Sequence, residues 1–257
     1  MKTPFRPPPQ TDPPLSPRQT LPTMYDLPSE NPVDPGLPDE FHGWQGELLR
    51  KTFRPPNIDS DRVFSSVNLN LYYDVTHPLR YKRPDWFGVV GVSRLYDDRD
   101  LRLSYVCWQE EKQPLVAVEL LSPGTEDEDL GRTTNPPESP PTKWQVYEQN
   151  LRIPYYVVFS RYTDKLQCFE LVGDRYQSAR LTDGRLVIPS IDLSLGTWRE
   201  TYEQLDRLWL RWMTVSGEPI PTVEETQIYK AQQEIERLKA MLRSQGIDPD
   251  RQDGGEV

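Results

Sequence analysis

The chain has 257 residues, of which 27 are proline and 35% are hydrophobic, and its formal net charge at pH 7 is −10. This length allows one domain of ordinary size with appendages. The acidic balance argues against binding to nucleic acid through charge alone, although a local basic groove remains compatible with it. No apolar run approaches the length of a transmembrane helix.

The first 40 residues are rich in proline and poor in aromatic side chains. Such a segment cannot bury enough apolar surface to offset the entropy lost on ordering, so we expect residues 1–40 to be a largely disordered arm. The arm lacks the continuous apolar run of a signal peptide or membrane anchor. We expect the folded domain to span residues 41–221.

The first half of this domain shows the hydrophobic periods of one helix and four strands. Pro55-Pro56 ends the opening helix. Asp85, which follows Arg83-Pro84, stands at the entry of the second predicted strand. The continuous apolar run near residue 118 predicts a central strand that is covered on both faces. The predicted helix spans residues 41–53, and the predicted strands span residues 63–73, 86–92, 101–108 and 115–121.

The second half begins with an acidic, proline-rich loop at residues 124–141. Thr142 is a plausible N-cap for a helix over residues 143–151, and a buried strand follows at 155–159. Strand, helix and strand in this order predict a right-handed crossover between parallel strands. Antiparallel strands are expected at residues 166–171, 176–179, 186–188 and 208–212, with a closing turn at Ser216-Gly217. The fold class is therefore a mixed α/β sheet flanked by helices.

The C-terminal segment, residues 222–246, has the pattern of an amphipathic helix. Its apolar residues are spaced by three and four, as in about two coiled-coil heptads. The segment could pack on its own domain or form a short self-associating helix, and the sequence leaves both open. The tail, residues 247–257, is expected to be disordered. The apolar positions are Ile228, Ala231, Ile235, Leu238 and Leu242.

Cysteine and histidine usage excludes several chemistries. Cys107 and Cys168 have no metal-ligand spacing, so we expect buried free thiols in a reducing, cytoplasmic compartment. With only His42 and His77, a histidine-rich metal site is excluded. The chain also has neither a GxSxG nucleophile elbow nor a glycine-rich phosphate loop.

Three polar positions point to metal-dependent chemistry: Asp85, Glu119 and Lys143. Glu119 lies within the apolar run, where a buried carboxylate requires a compensating partner. Two carboxylates brought together by neighbouring strands can hold a divalent cation, and a nearby lysine can position water. Asp85 also has a structural interpretation as a strand-entry or turn residue, and Lys143 as a surface lysine, whereas a purely structural interpretation is weakest for Glu119.

Further polar residues near these positions have simpler interpretations. Tyr147 is expected to be a core residue or a hydrogen-bond support. Glu47 could be a further acid near a metal, but a solvated helix face is the favoured interpretation. The basic clusters at residues 50–54 and 80–83 are at least as consistent with a solvated surface as with a path for phosphates.

An ordered set of short motifs resembles the Uma family of restriction-endonuclease-like proteins, which is much multiplied in cyanobacteria and was once a domain of unknown function. The resemblance covers roughly residues 24–220. The set is specific because its elements occur in one order, although each is weak alone. The motifs are Met24-Tyr25-Asp26-Leu27-Pro28, Pro84-Asp85, Glu119-Leu120-Leu121-Ser122-Pro123, Lys143 with Tyr147, and Ile153-Pro154-Tyr155-Tyr156.

The Uma family is similar to the PD-(D/E)XK nuclease superfamily, and this implies a restriction-endonuclease-like core that hydrolyses phosphodiester bonds. The resemblance assigns Asp85 and Glu119 as ligands of Mg²⁺, with Mn²⁺ as an alternative. The usual lysine position holds Leu121, and Lys143 is interpreted as the relocated lysine. The implied partner is nucleic acid, with DNA preferred, and a homodimer would suit double-strand cleavage. An inactive descendant that binds nucleic acid or acts as an assembly adaptor is the alternative.

Overall fold

The computed structural model describes residues 11–15, 39–122, 125–133, 135, 139–245 and 248. Almost all of the proline-rich arm and of the tail, for which the sequence predicts disorder, therefore lies outside the described residues. The described strands are β1 Val63–Val67, β2 Leu71–Tyr72, β3 Tyr81–Lys82, β4 Trp86–Val90, β5 Tyr105–Val106, β6 Val116–Leu120, β7 Tyr155–Ser160, β8 Lys165–Val172, β9 Arg175–Ser178, β10 Leu186–Ile188, β11 Leu193–Tyr202 and β12 Leu205–Thr214.

Helices lie on both faces of the main sheet. The described α-helices are α1 Glu40–Thr52, α2 Cys107–Glu110, α3 Glu126–Asp129, α4 Lys143–Gln145 and α5 Val223–Ser244. Helix α1 lies on one face, and the crossover that begins with α4 lies on the other. Helix α4 continues as a π-helical turn, Val146–Asn150. Short 3-10 turns lie at Ser60–Arg62 and Pro189–Ile191.

The main sheet has six strands in the order β1-β4-β6-β7-β8-β9. Strands β6 and β7 are parallel, and the other neighbours are antiparallel. All five residues of β6 are buried, so the prediction of a central strand covered on both faces is confirmed. The parallel pairing across the α4 crossover is confirmed as well, and the fold class is mixed α/β as predicted.

The two faces of the main sheet bury different sets of side chains because successive strand residues point to opposite sides. In β6, Val118 packs against α1 and the β10-β11-β12 sheet. Ala117 packs on the opposite face, against residues of the crossover such as Val146 and Tyr147. Glu119 is two residues after Ala117, so its side chain belongs to the crossover face.

Two predicted strands were wrong in extent. The strand predicted over 63–73 is divided at Asn68, which has a left-handed φ of 51°. Its two parts, β1 and β2, join different sheets. Of the strand predicted over 101–108, only β5 is a strand, and α2 begins at Cys107. Leu101 and Leu103 are 70% and 95% exposed. An alternating pattern indicates a strand only when a partner surface covers one side of it, and these leucines have none.

Two three-stranded sheets accompany the main sheet, one in the order β3-β2-β5 and one in the order β10-β11-β12. Strand β11 was not predicted, and its hairpin with β12 turns at Glu203 and Gln204, which both have positive φ. Paired positive φ values suit the two-residue turns of hairpins, although glycine or asparagine usually occupies them. The predicted turn at Ser216-Gly217 is present directly after β12, where Gly217 N–H donates to Thr214 O at 3.0 Å.

The C-terminal helix α5 begins with a capping box in which Thr222 and Glu225 bond to each other's backbone N–H. No residue of α5 is buried. The interpretation that its apolar side packs on its own domain is therefore wrong for the described residues. Within that part of the chain, no helix combines the length and apolarity needed to cross a membrane.

Candidate functional site

Asp85 lies at the entry of β4, beside the end of β6. Trp86 pairs with Val118 in antiparallel register, so extending the register by one residue sets Asp85 opposite Glu119. The Asp85 side chain reaches further along β6, where Oδ2 accepts from Leu120 N–H at 2.6 Å. Asp85 is 8% exposed, and its Oδ1 atom has no hydrogen-bond partner among the described residues. That oxygen is free to bind a ligand.

Glu119 is fully buried and is held at both carboxylate oxygens. Lys143 Nζ donates to Oε2 at 2.8 Å, and Tyr147 Oη donates to Oε1 at 2.8 Å. An ammonium and a hydroxyl therefore offset the cost of burying this carboxylate. Tyr147 is buried and serves as a hydrogen-bond support.

Lys143 reaches the site because α4 begins directly beside it. Thr142 is its N-cap, forming a capping box with Gln145. Lys143 is the first residue of the helix, and its ammonium points back toward the end of β6. Its Nζ also lies 3.6 Å from Asp129 Oδ1. The structure thus brings together Asp85, Glu119 and Lys143, the three residues singled out in the sequence.

A third carboxylate, Asp129, joins this cluster, although the sequence did not identify it as a site residue. It ends α3, is 2% exposed, and its Oδ1 has no hydrogen-bond partner in the described residues. Tyr156 Oη donates to its backbone carbonyl at 2.8 Å. Because Asp129 is the last of four consecutive acids, no sequence signal distinguishes it from its exposed neighbours.

The electrostatics of the cluster follow from three carboxyl groups that surround one ammonium. Burial raises the pKa of Glu119 well above its usual value, and the charges of Asp85 and Asp129 add to this, while Lys143 opposes it. Burial also raises the pKa of Asp129. For Lys143, burial acts to lower the pKa, but the surrounding carboxylates outweigh it and raise the pKa well above its usual value. Lys143 is therefore held as a cation.

His42 lies on the other side of the β6 end and was also missed. Its Nε2 is 2.8 Å from Leu120 O and 4.0 Å from Asp85 Oδ2, and its Nδ1 is 2.7 Å from Asp39 Oδ1. Burial acts to lower the pKa of His42, but Asp39 and Asp85 outweigh it and raise the pKa. His42 fixes the orientation of the Leu120 carbonyl. Its place on α1, between apolar neighbours, gave no sign of this contact.

The other polar residues considered from the sequence lie in different places. Lys82 is close to the cluster, with Nζ 3.7 Å from Glu128 Oε1. Burial lowers the pKa of Lys82, the Glu128 charge opposes this, and Lys143 contributes to the lowering. Glu47 pairs with Arg50 at 2.6 Å on a partly exposed helix face, as the favoured interpretation predicted. His77 pairs with Asp74 at 2.7 Å in an exposed turn.

The sequence matches a family model described as "Putative restriction endonuclease" over residues 19–206. This is more than half of the chain. The chain belongs to the Uma2 family. No protein with a curated description matches it. Membership in Uma2 confirms the resemblance to a restriction-endonuclease-like family, and the mixed sheet with its flanking helices agrees with it.

Leu121 is the residue that the resemblance to the wider nuclease superfamily assigns to the usual lysine position. Leu121 lies on the same face of the sheet as Ala117, packed in the apolar cluster with Tyr147 and Val158. Lys143 places its ammonium on Glu119 from the crossover helix instead. The contact between Lys143 and Glu119 is compatible with the interpretation of Lys143 as a relocated lysine, which stays a prediction.

The donor set suits a hard divalent cation, since it consists of carboxylate and carbonyl oxygens. The unbonded Asp129 Oδ1 and the free Asp85 Oδ1 are oxygens of the kind that such an ion takes. Within the described residues, however, no three His, Cys, Asp or Glu side chains are arranged as a metal site. Lys143 occupies the position between Glu119 and Asp129.

Proposed function

We propose that this chain is a Mg²⁺-dependent endonuclease that hydrolyses phosphodiester bonds, with DNA as the substrate and Mn²⁺ as an alternative ion. One observation carries the proposal: a fully buried Glu119 that is opposite Asp85 in register and bonded to Lys143 at 2.8 Å. A buried acid, an adjacent acid and a cation in a restriction-endonuclease family are the groups that such hydrolysis needs. The two free cysteines suit a reducing, cytoplasmic location.

Asp85 and Glu119 are the proposed metal ligands, with the Leu120 carbonyl as a further oxygen. The Leu120 oxygen accepts one hydrogen bond from His42 and retains a second lone pair. When bound, Mg²⁺ supplies charge that polarises the phosphate and lowers the pKa of a water molecule. Asp85 keeps its carboxylate oriented through Leu120 N–H, so its Oδ1 remains directed to a ligand.

Lys143 is proposed to offset negative charge on the phosphate and to orient the attacking water. A lysine whose pKa is raised by carboxylates stays protonated, so it acts as a hydrogen-bond donor and cation. Its side chain retains 23% exposure, which gives the ammonium access to a bound phosphate. Tyr147 holds the other oxygen of Glu119 and thereby fixes the carboxylate plane.

Asp129 is proposed to position Lys143. Its carboxylate is 3.6 Å from the ammonium, which is close enough for a strong charge interaction in a buried site. When Glu119 binds an ion, Asp129 remains as the nearest partner of Lys143. The acidic loop, which departs from the usual superfamily pattern, would then supply a part of the site.

A second function is favoured by the state of Glu119, both of whose oxygens are already bonded to Lys143 and Tyr147. A carboxylate satisfied in this way could have a structural role in an inactive nuclease fold. Such a protein would bind nucleic acid or act as an assembly adaptor. This alternative predicts that neutral substitutions at Asp85 leave all nucleic-acid contacts unchanged.

Cleavage of supercoiled plasmid DNA tests the proposal. The wild-type protein, Asp85→Asn and Glu119→Gln would be incubated with Mg²⁺, Mn²⁺ or EDTA. We expect nicking by the wild type that EDTA abolishes, and a loss of at least about 100-fold in either variant, since each loses a metal ligand. Circular dichroism would verify that both variants are folded.

Glu47→Gln is the matched control, because Glu47 lies on α1 in an ion pair with Arg50 outside the site. It should cleave like the wild type. Metal-dependent cleavage by Asp85→Asn at the wild-type rate would refute the assignment. No cleavage by the folded wild type on plasmid or on single-stranded and RNA substrates would favour the adaptor.

A further inference from the structure

The C-terminal helix α5 presents an uncovered apolar seam. Ile228 is 57% exposed, Ile235 51%, Leu238 47% and Leu242 36%. Together with Ala231, these residues recur at intervals of three and four, so they lie along one side of the helix. In proteins most of the stability of a helix comes from packing of its apolar face rather than from the helix propensity of its residues. Burial of this seam would therefore stabilise the 22-residue helix.

The start of α5 is tied firmly to the domain. Arg211, whose side chain is 2% exposed, forms ion pairs with Glu200 and Glu225, and its guanidinium also donates to Ile220 O at 3.0 Å. Lys51 pairs with Glu224 at 3.0 Å. These contacts hold the first turn, while no residue of α5 is buried. The seam is thus carried on a helix whose base has a fixed direction.

The seam has the heptad chemistry of a parallel two-stranded coiled coil. With Ile228 at an a position, the next a positions are Ile235 and Leu242, and the d positions include Ala231 and Leu238. β-Branched residues at a with leucine at d favour parallel dimers. The seam is short, so we expect a dimer that dissociates on dilution.

Charge complementarity decides the orientation. In this heptad frame, Glu234 is at g and Lys239 at e of the following heptad. A parallel pair places Glu234 of one helix beside Lys239 of the other, twice in each dimer. An antiparallel pair places g positions beside g positions and e positions beside e positions, so it does not form this Glu234–Lys239 pair. The flanking charges therefore favour a parallel second copy.

We propose that α5 pairs with α5 of a second copy of this chain as a short parallel coiled coil. Parallel pairing brings the fixed helix bases, and thus two whole domains, to the same end of the dimer. If the proposed nuclease activity holds, each dimer presents two active sites to one duplex. The pairing itself does not depend on that activity.

Sedimentation equilibrium of the full chain over a wide concentration range tests the proposal. We expect the wild type to shift toward twice the monomer mass as its concentration rises, and Ile235→Asp/Leu238→Asp to stay monomeric. The matched control, Gln233→Asp/Ala240→Asp, adds the same two charges on the opposite side of the helix and should dimerise like the wild type. A wild type that is monomeric throughout, or a seam variant that still dimerises, would overturn the proposal.

The orientation has its own test. In a parallel pair, Glu234→Lys faces Lys239 and should weaken association, whereas Glu234→Lys with Lys239→Glu should restore it. In addition, Gln245→Cys should form an intermolecular disulfide on mild oxidation, because parallel pairing brings the two helix ends together. Both native cysteines are buried, so they should not compete. A dimer that resists cross-linking and is not restored by the double exchange would refute the parallel arrangement.

Discussion

Replacing Lys143 with methionine removes the cation that neutralises the buried Glu119. Methionine has a similar length and can fill the channel that the lysine stem occupies, so the change is mainly electrostatic. The variant leaves Glu119 fully buried with only the Tyr147 hydroxyl as a partner. Asp129 would then face Glu119 without the ammonium between them.

The structure sets the size of this effect. At the 2.8 Å separation of Lys143 Nζ and Glu119 Oε2, an effective dielectric constant of about 20 gives roughly 6 kcal/mol of attraction. Part of this lost attraction is offset, because the variant no longer has to desolvate an ammonium group. Removing one partner of a buried pair costs about 3–5 kcal/mol, and we expect the lower end, about 3 kcal/mol, because the Lys143 side chain is 23% exposed.

Urea unfolding at pH 8 measures the change in the free energy of unfolding. For a domain of this size, about 3 kcal/mol lowers the melting temperature by roughly 6–12 °C. Lys82→Met is the matched control. Lys82 lies beside the cluster but faces Glu128, whose side chain is 43% exposed, so its loss should cost less than about 1 kcal/mol. Equal effects of the two substitutions would refute the role of Lys143 as the partner of a buried charge.

Three further predictions concern the same cluster. Tyr147→Phe removes the second hydrogen bond to Glu119 and should lower the free energy of unfolding by about 1.5–3 kcal/mol in urea titrations. The pKa of Glu119 is raised in the folded state, so the wild type should lose stability relative to Glu119→Gln as pH rises above about 4.5, which urea titrations across pH would measure. Gly131 has a φ of 66°, and a Cβ there would lie 2.6 Å from the Trp144 ring; Gly131→Ala should therefore displace the first turn of α4, reduce cleavage and lower the melting temperature.

Each of these has a contradicting result. A Tyr147→Phe variant as stable as the wild type would mean that Glu119 does not depend on the hydroxyl. A stability difference between the wild type and Glu119→Gln that is constant with pH would mean that burial does not raise the pKa of Glu119. A Gly131→Ala variant with wild-type cleavage and melting temperature would show that the Trp144 contact does not position Lys143.

The central strand and Glu119 could be predicted from the sequence because they carried a strong local signal, whereas Asp85 and Lys143 were identified mainly from the order of the motifs. The run around Glu119 is apolar at every neighbouring position, so a polar residue within it stands out. Thr142 with Gln145 three residues later is the signature of a helix start. The β6-α4-β7 order then constrained the arrangement, since parallel strands need a crossover.

The missed features depend on contacts between residues distant in the chain. Asp129 differs from the acids beside it because Lys143 packs against it. His42 is significant because the first turn of α1 brings its ring against the Leu120 carbonyl. The exposed Leu101 and Leu103 mimic a strand, since a pattern of apolar residues does not show whether a covering surface exists. Strand β11 begins in a segment whose glycine and mixed polarity weaken its pattern.

The metal site is tested most directly by counting Mn²⁺ ions bound to the folded chain with electron paramagnetic resonance. The wild type should bind Mn²⁺ at a site from which Mg²⁺ displaces it. Asp85→Asn and Glu119→Gln should each lose that binding, whereas Lys82→Met should retain it. If the wild type binds no Mn²⁺, or if Asp85→Asn binds as many ions as the wild type with the same affinity, Asp85 and Glu119 do not hold a catalytic metal ion.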